Sequence, residues 1–318
     1  MYFVQIATGS SPETVVRIMP TILALCLSLA VYWLVKVGTK NELAALVSSL
    51  FSSFSFQVTV GLFAYFMANW VAIIESLLLT VFLLKSSEKQ SWKFMAASAV
   101  IGMLVLLTHP YTWDVLMAVL ILYFGWALIK KRPRRREILL LTLLLASNFA
   151  FYTAYALAPF GKGLSSAEGG SLSDLTSGIG FSNLLNLQNN LAQIVQSYVG
   201  GLFGNPLLIL LAIVGVFSMF GFAERFNKLM ILWVVVPSLA LLAVSPDPYY
   251  YRFLYLIPIQ VQAAAGLVWV IGKLEFARGW FKTDRNLQTF KILIIVLVVL
   301  FLLNYALRSV DEALVRIL

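Results

Sequence analysis

Charge is scarce in this chain. Asp, Glu, Lys and Arg make up 12% of its 318 residues, while 61% are apolar. A soluble globular chain is about a quarter charged, so the surplus apolar surface excludes a soluble fold and needs lipid around it. Cysteine and histidine are scarcer still, with one of each, Cys26 and His109. A lone thiol inside an apolar run excludes an internal disulfide and makes no metal site. Acids are too dispersed to define a metal centre: outside the spans only Asp311 and Glu312 stand at a ligand-like spacing, in the terminal tail. No metal ligand is assigned, and dependence on a divalent cation is open. The first ten residues lack a positively charged stretch, so no cleavable signal peptide is expected.

What the chain does have is long apolar runs separated by short polar gaps, with a net charge of +9 and a mean hydropathy of +0.90. The basic residues lie between apolar runs, where they face a membrane surface; nucleic acid is not an expected partner. A hydrocarbon core about 30 Å thick takes roughly 20 helical residues to cross, fewer where neighbouring protein shields the ends. Ten candidate spans fall near 18–36, 42–56, 61–84, 94–108, 114–129, 137–157, 203–222, 229–244, 253–271 and 292–307. The expected fold is therefore all-α, a polytopic bundle of about ten transmembrane helices in one domain. The second span is rich in serine, including Ser48, Ser49, Ser52 and Ser53, which suits close helix contact or a partly re-entrant segment.

Every second gap collects the positive charge. Lys36 and Lys40, the 85–93 lysines, the run Lys130 to Arg136, Arg225 and Lys228, and the residues from Lys273 to Lys291 hold 18 of the 23 basic residues. The other gaps hold Arg17, Lys162, Arg252, Arg308 and Arg316. The first set is expected in the cytoplasm, which puts both termini outside the cell membrane. An N-outside start without a signal peptide is unusual for so many spans and suggests that something once preceded Met1.

Four external segments follow from that orientation. Ser11, Pro12 and Glu13 read as a helix start, with Ser11 as cap and Pro12 in the first turn. Thr108 to Asp114 is a tight turn broken at Pro110, carrying His109, Tyr111, Trp113 and Asp114. It serves either as a turn anchored by interfacial aromatic rings or as a site where His109 and Asp114 meet a phosphate or a sugar hydroxyl. Residues 158–202 form the one long external loop. Leu184, Leu187, Leu191, Ile194, Val195 and Tyr198 stand there at helical spacing, opposite a face of Asn and Gln, as in an amphipathic helix lying on the outer surface. The 272–291 gap is its cytoplasmic counterpart. In the last segment, Pro246, Asp247 and Pro248 lead into Tyr249, Tyr250, Tyr251 and Arg252. Arginine's planar fork of donors suits phosphate oxygens, although snorkelling or a salt bridge to Asp247 would also account for it. One acid is buried by sequence: Glu75 stands alone, about 14 residues into the third span, on the order of 20 Å down. It is either a proton or ion site or a hydrogen-bonded tie.

Three stretches together resemble GT-C superfamily glycosyltransferases: Gly9 to Pro20 running into Ala24–Lys36; Gly61 to Lys85 with Ala68, Asn69 and Trp70; and Tyr251 to Pro258 followed by Ala263–Gly266. The resemblance covers most of the chain through loose motifs. It implies transfer of a sugar from a polyprenyl-phosphate carrier on the external side of the membrane. It also aligns the first span here with the family's second, so the first span and the acidic external loop that supplies the family's key acid are expected to be missing. On that reading Arg252, supported by His109, takes the carrier phosphate; Tyr249, Tyr250, Tyr251 and Trp113 line the sugar or lipid path; Asp114 is the acid left to touch a substrate hydroxyl. The partners implied are a polyprenyl-phosphate-linked sugar and membrane lipids. Two other functions fit the same features. One is a non-catalytic scaffold joined by a second membrane polypeptide that brings the missing loop; the other is a transporter for a lipid-linked sugar working through Glu75.

The orientation is testable with single cysteines in a Cys26→Ser background. Ser10→Cys is expected to react with a membrane-impermeant maleimide on intact cells, and Gln90→Cys only after permeabilisation. The reverse pattern would invert every assignment of side made above.

Overall fold

In hydrocarbon there is no water to satisfy a backbone, so lipid-exposed polypeptide must bond to itself, as a helix or a closed barrel. A computed structural model of the protein shows the helical solution, and describes residues 9, 11–64, 67–129, 135–157, 192, 205–220, 225–243, 254–274 and 284–317. In chain order the helices are α1 (Pro12–Thr39), α2 (Glu42–Ser53), α3 (Phe56–Ala64), α4 (Met67–Lys89), α5 (Trp92–Thr108), α6 (Pro110–Ile129), α7 (Arg135–Leu157), α8 (Pro206–Phe220), α9 (Arg225–Ala243), α10 (Ile259–Lys273) and α11 (Asp284–Ile317). No strand occurs among the described residues. The all-α bundle expected from composition is the fold observed.

Six helical stretches are long and apolar enough to cross a membrane: Pro12–Thr39, Glu42–Gly61, Met67–Lys89, Pro110–Ile129, Arg135–Leu157 and Asp284–Arg308. Trp92–Thr108, Pro206–Phe220 and Ile259–Lys273 are apolar but shorter. At 1.5 Å per residue the last two extend only about 22 Å. α10 is largely embedded among its neighbours, whereas α8 keeps Leu210, Ile213 and Phe217 exposed on one face. Of the six long stretches, α4 is the most enclosed, with 72% of its apolar window buried, whereas α7 and α11 bury 22% and 17% and give most of their surface to lipid. The bundle is thus organised around α4, which packs on α1, α5 and α6. Leu27, Val31, Leu34, Trp70, Leu77 and Leu120 form the centre of that core.

Local chemistry sets the helix ends. Ser11 caps α1: its Oγ accepts from the Thr14 N–H at 3.2 Å, with Pro12 at the first position. Asn41 and Asn205 do the same for α2 and α8, accepting from Ala44 N at 3.0 Å and Leu208 N at 3.1 Å. α1 ends where Lys40 takes a left-handed conformation, φ 58°, and its N–H reaches the Lys36 carbonyl. One sequence boundary shifts. The second span, expected to stop at Phe56, breaks at Phe54–Ser55 and resumes as α3 through Ala64. The backbone tightens there, with Phe54 N bonding to Phe51 O and Ser55 N to Ser52 O at 3.2 Å each.

The tightest contact joins α8 to α10. A Cβ placed on Gly215 would stand 1.8 Å from the Gln262 carbonyl oxygen, and one on Gly266 1.9 Å from that of Leu211. Only glycine lets the two backbones meet in this way. A second core of Phe51, Leu211, Ala212, Ala263, Ala264, Leu267 and Leu302 surrounds the crossing and ties in α2 and α11.

The basic gaps converge on one face. Lys36 pairs with Glu42 at 2.9 Å, Lys40 with Glu88 at 2.8 Å and Arg225 with Glu137 at 2.7 Å. The last pair is the most enclosed, with Glu137 7% and Arg225 23% exposed. These bonds link the α1–α2 gap to the end of α4, and the start of α7 to the start of α9.

Gly266→Val should force α8 and α10 apart. Overpacking against backbone is expected to cost about 3 kcal/mol or more, seen as a fall in thermal midpoint in detergent. Gly272→Ala, on the same helix with nothing within 4 Å of its Cβ position, should stay at or slightly above the parent. Equal behaviour of the two variants would remove the crossing from its central place.

Candidate functional site

On the face opposite the basic one, the α5–α6 turn gathers most of the described chemistry. α5 ends at Thr108, and His109 takes an extended conformation, φ −157° and ψ 94°, with its N–H on the Val105 carbonyl at 2.8 Å. Pro110 opens α6, where a missing N–H costs nothing. His109 then caps α6 with its ring: Nδ1 accepts from the Thr112 N–H at 3.2 Å and lies 2.8 Å from Thr112 Oγ1. A nitrogen that accepts a backbone N–H carries no proton of its own, so in the neutral ring the proton sits on Nε2. The ring is held edge-on to Tyr111, centroids 6.1 Å apart at 82°. The sequence pattern does not foretell this capping role, because histidine is not among the usual caps.

Glu75 belongs to this turn. Thr108 Oγ1 donates to Glu75 Oε1 at 3.2 Å, while Glu75 Oε2 is buried with no hydrogen-bond partner among the described residues. The carboxylate is level with the end of α5. Of the two roles expected for this acid, the hydrogen-bonded tie is the one this contact supports. The structure brings Glu75, Thr108, His109 and Thr112 together, and Asp114 follows one turn into α6, half-buried.

Trp113 is placed elsewhere. It is 2% exposed, donates from Nε1 to Asn148 Oδ1 at 3.3 Å, and stacks on Tyr152 with centroids 5.1 Å apart at 10°. Those contacts lock α6 to α7. Beneath the turn the space between Ile73, Ser76, Thr112, Leu116, Trp233 and Leu256 is too tight for a water molecule.

Arg252, Tyr249, Tyr250 and Tyr251 lie outside the described residues, as do the 158–202 loop (except Ala192) and most of the Lys130–Arg136 run. The described chain resumes at Leu254, at a lock that sequence alone does not reveal. Gln57 Nε2 donates to the carbonyls of Tyr255 at 3.0 Å and Ile257 at 2.6 Å. Tyr255 OH donates back to the Gln57 carbonyl at 2.8 Å. Tyr255 is 1% exposed. A lone glutamine in an apolar run is the one signal that could have pointed to it. Among the described residues no three His, Cys, Asp or Glu side chains converge as a metal site.

No family model matches the chain, and no curated protein matches it. Among solved structures it is similar to the oligosaccharyltransferase of Archaeoglobus fulgidus. The match to the crystal structure with zinc and sulfate has a TM-score of 0.64 at 14% identity, covering 94% of this chain and 41% of that one. The match to the apo form has a TM-score of 0.64 at 13% identity, covering 94% and 45%. The chain thus spans less than half the length of these proteins, and at such identity the likeness establishes a shared membrane-helical fold.

Proposed function

We propose that this chain is a glycosyltransferase-type membrane protein that transfers a sugar from a polyprenyl-phosphate carrier on the face opposite its basic one. The observation that carries the reading is the likeness over 94% of the chain to an oligosaccharyltransferase fold. In such a transfer an acceptor atom bonds to the sugar's anomeric carbon as the bond to the carrier phosphate breaks. The acceptor's proton needs a base, and the leaving phosphate needs neutralisation. Arg252 supplies the fixed positive charge for the phosphate, and His109, with its proton on Nε2, a second donor. Asp114 receives the acceptor's proton. Tyr249, Tyr250 and Tyr251 border the sugar or lipid path, and Trp113 supports it by holding α6 on α7. Glu75, through Thr108, fixes the turn that presents His109.

In a second reading the chain is a scaffold, and another polypeptide brings the catalytic acid. Both readings use the same external turn, and substitutions separate them.

The capping geometry allows the two roles of His109 to be split. His109→Ala should cost about 1 kcal/mol of stability by uncapping α6, while His109→Asn, itself a good cap, should keep most of it. Both should lose sugar transfer if Nε2 is the working donor, as judged by mass spectrometry of glycans from a deletion strain complemented with each variant. Restoration by His109→Asn would leave the residue a cap only.

Arg252→Ala should lower the same glycan signal by a factor on the order of 100, the scale of losing one charge-stabilising donor. Full complementation by Arg252→Ala would refute its role at the carrier phosphate. A chain whose Arg252, His109 and Asp114 variants all complement, yet whose deletion abolishes the glycan, would be the scaffold of the second reading.

A further inference from the structure

On the basic face the ends of α1, α8 and α10 and the starts of α2 and α9 enclose a crevice of about 450 Å³. We propose that it holds an anionic phospholipid, head group at the mouth and upper acyl chain within. The crevice has two chemistries. Among its lining residues Asn41 is exposed and Thr39 half-buried, which marks the mouth, while Val35, Met219 and Val261 are buried apolar walls further in. On α10 the lining runs from Trp269 to Val261, eight residues and therefore about 12 Å of depth. A free phosphate would gain nothing from that apolar depth, but an acyl chain would.

Charge selects the head group. Lys36, Lys40, Arg225, Lys228 and Lys273 all belong to the helix ends around the crevice. Glu42, Glu88 and Glu137 pair with the first three. Lys228 lies in the first turn of α9, and Lys273 places its ammonium 5.3 Å from the ring centre of Trp269, which lines the crevice. An amphipathic tryptophan beside a lysine at a wet rim is the pairing expected where a lipid head group meets protein. Each basic residue at such a surface favours an anionic lipid by about 1 kcal/mol. The crevice lies on the opposite face from the His109 turn, so it is separate from the site proposed for the sugar carrier.

Trp269 is a built-in reporter. The full chain in mixed micelles is titrated with phosphatidylglycerol brominated near the head-group end of its acyl chains, and in parallel with brominated phosphatidylcholine. The Trp269 component is the fluorescence difference between the parent and Trp269→Phe. At equal mole fraction it should be quenched at least about twofold more by phosphatidylglycerol, the scale set by one to two basic contacts. Lys228→Gln/Lys273→Gln should abolish that preference. Lys89→Gln/Lys93→Gln, which removes the same charge elsewhere on the face, should keep it. Equal quenching by the two lipids, no quenching, or equal loss in both double variants would overturn the proposal. Protection of Trp269 by millimolar inorganic phosphate would make the crevice a soluble-anion site instead.

Discussion

The crossing of α8 and α10 at Gly215 and Gly266 is the constraint from which much of this structure follows. Lipid tails are as apolar as leucine, so helices in a membrane gain little by hiding leucine from them; they gain by close packing and by bonds between polar groups. Where the Gln262 and Leu211 carbonyl oxygens stand within 2 Å of the would-be Cβ atoms of the two glycines, α10 has no freedom to slide along α8. Its first turn is then fixed in the membrane, and the Leu254–Pro258 segment must meet α3 at a set height. The bonds between Gln57 and Tyr255 are the consequence. They satisfy carbonyls that a non-helical segment leaves open, as backbone at membrane depth demands. The segment they hold continues directly from Arg252.

The two faces of the bundle are built by different forces. The basic face is joined by ion pairs between gaps far apart in sequence, the α1–α2 gap to α4 and the start of α7 to the start of α9. Exposed pairs of this kind add little to stability. Arg225 and Glu137 are more enclosed, and losing one partner would strand a desolvated charge, which costs far more than the pair gains. The opposite face has bonds of another sort: a ring nitrogen on a backbone N–H, a threonine on a carboxylate, an indole on an asparagine. Such contacts set geometry without cancelling charge.

Sequence periodicity and charge reveal the helical class, the alternation of basic and non-basic gaps and the Ser11–Pro12 helix start, because each depends on residues within a few positions of one another. The boundary between the second and third spans escapes them for a related reason. Serines and phenylalanines from Phe51 to Phe56 are locally compatible with a continuous helix, and what breaks it is the meeting with the α10 entry some 200 residues later. Gln57 and Tyr255 illustrate the same limit. Neither residue's partner is in its own neighbourhood, so composition cannot pair them. At His109 the turn is legible from Pro110, and the lone histidine stands out as a candidate for chemistry. Its capping bond to Thr112 is hidden because it depends on ring orientation. Trp113 is legible at the turn, but its hydrogen bond to Asn148, on a different helix, is tertiary.

Glu75 shows how a tertiary contact changes meaning. By sequence it is a lone acid within a span, either a proton or ion site or a hydrogen-bonded tie. In the structure Thr108 reaches it from the end of α5, which supports the tie. It holds the residue immediately before His109, and so helps fix the backbone from which that ring caps α6. Glu75 Oε2 is buried with no bond among the described residues, so an ionised carboxylate there carries a desolvation cost. A neutral glutamine in the same place would keep an acceptor for Thr108 and shed most of that cost, which is what separates a structural tie from a site that needs the charge.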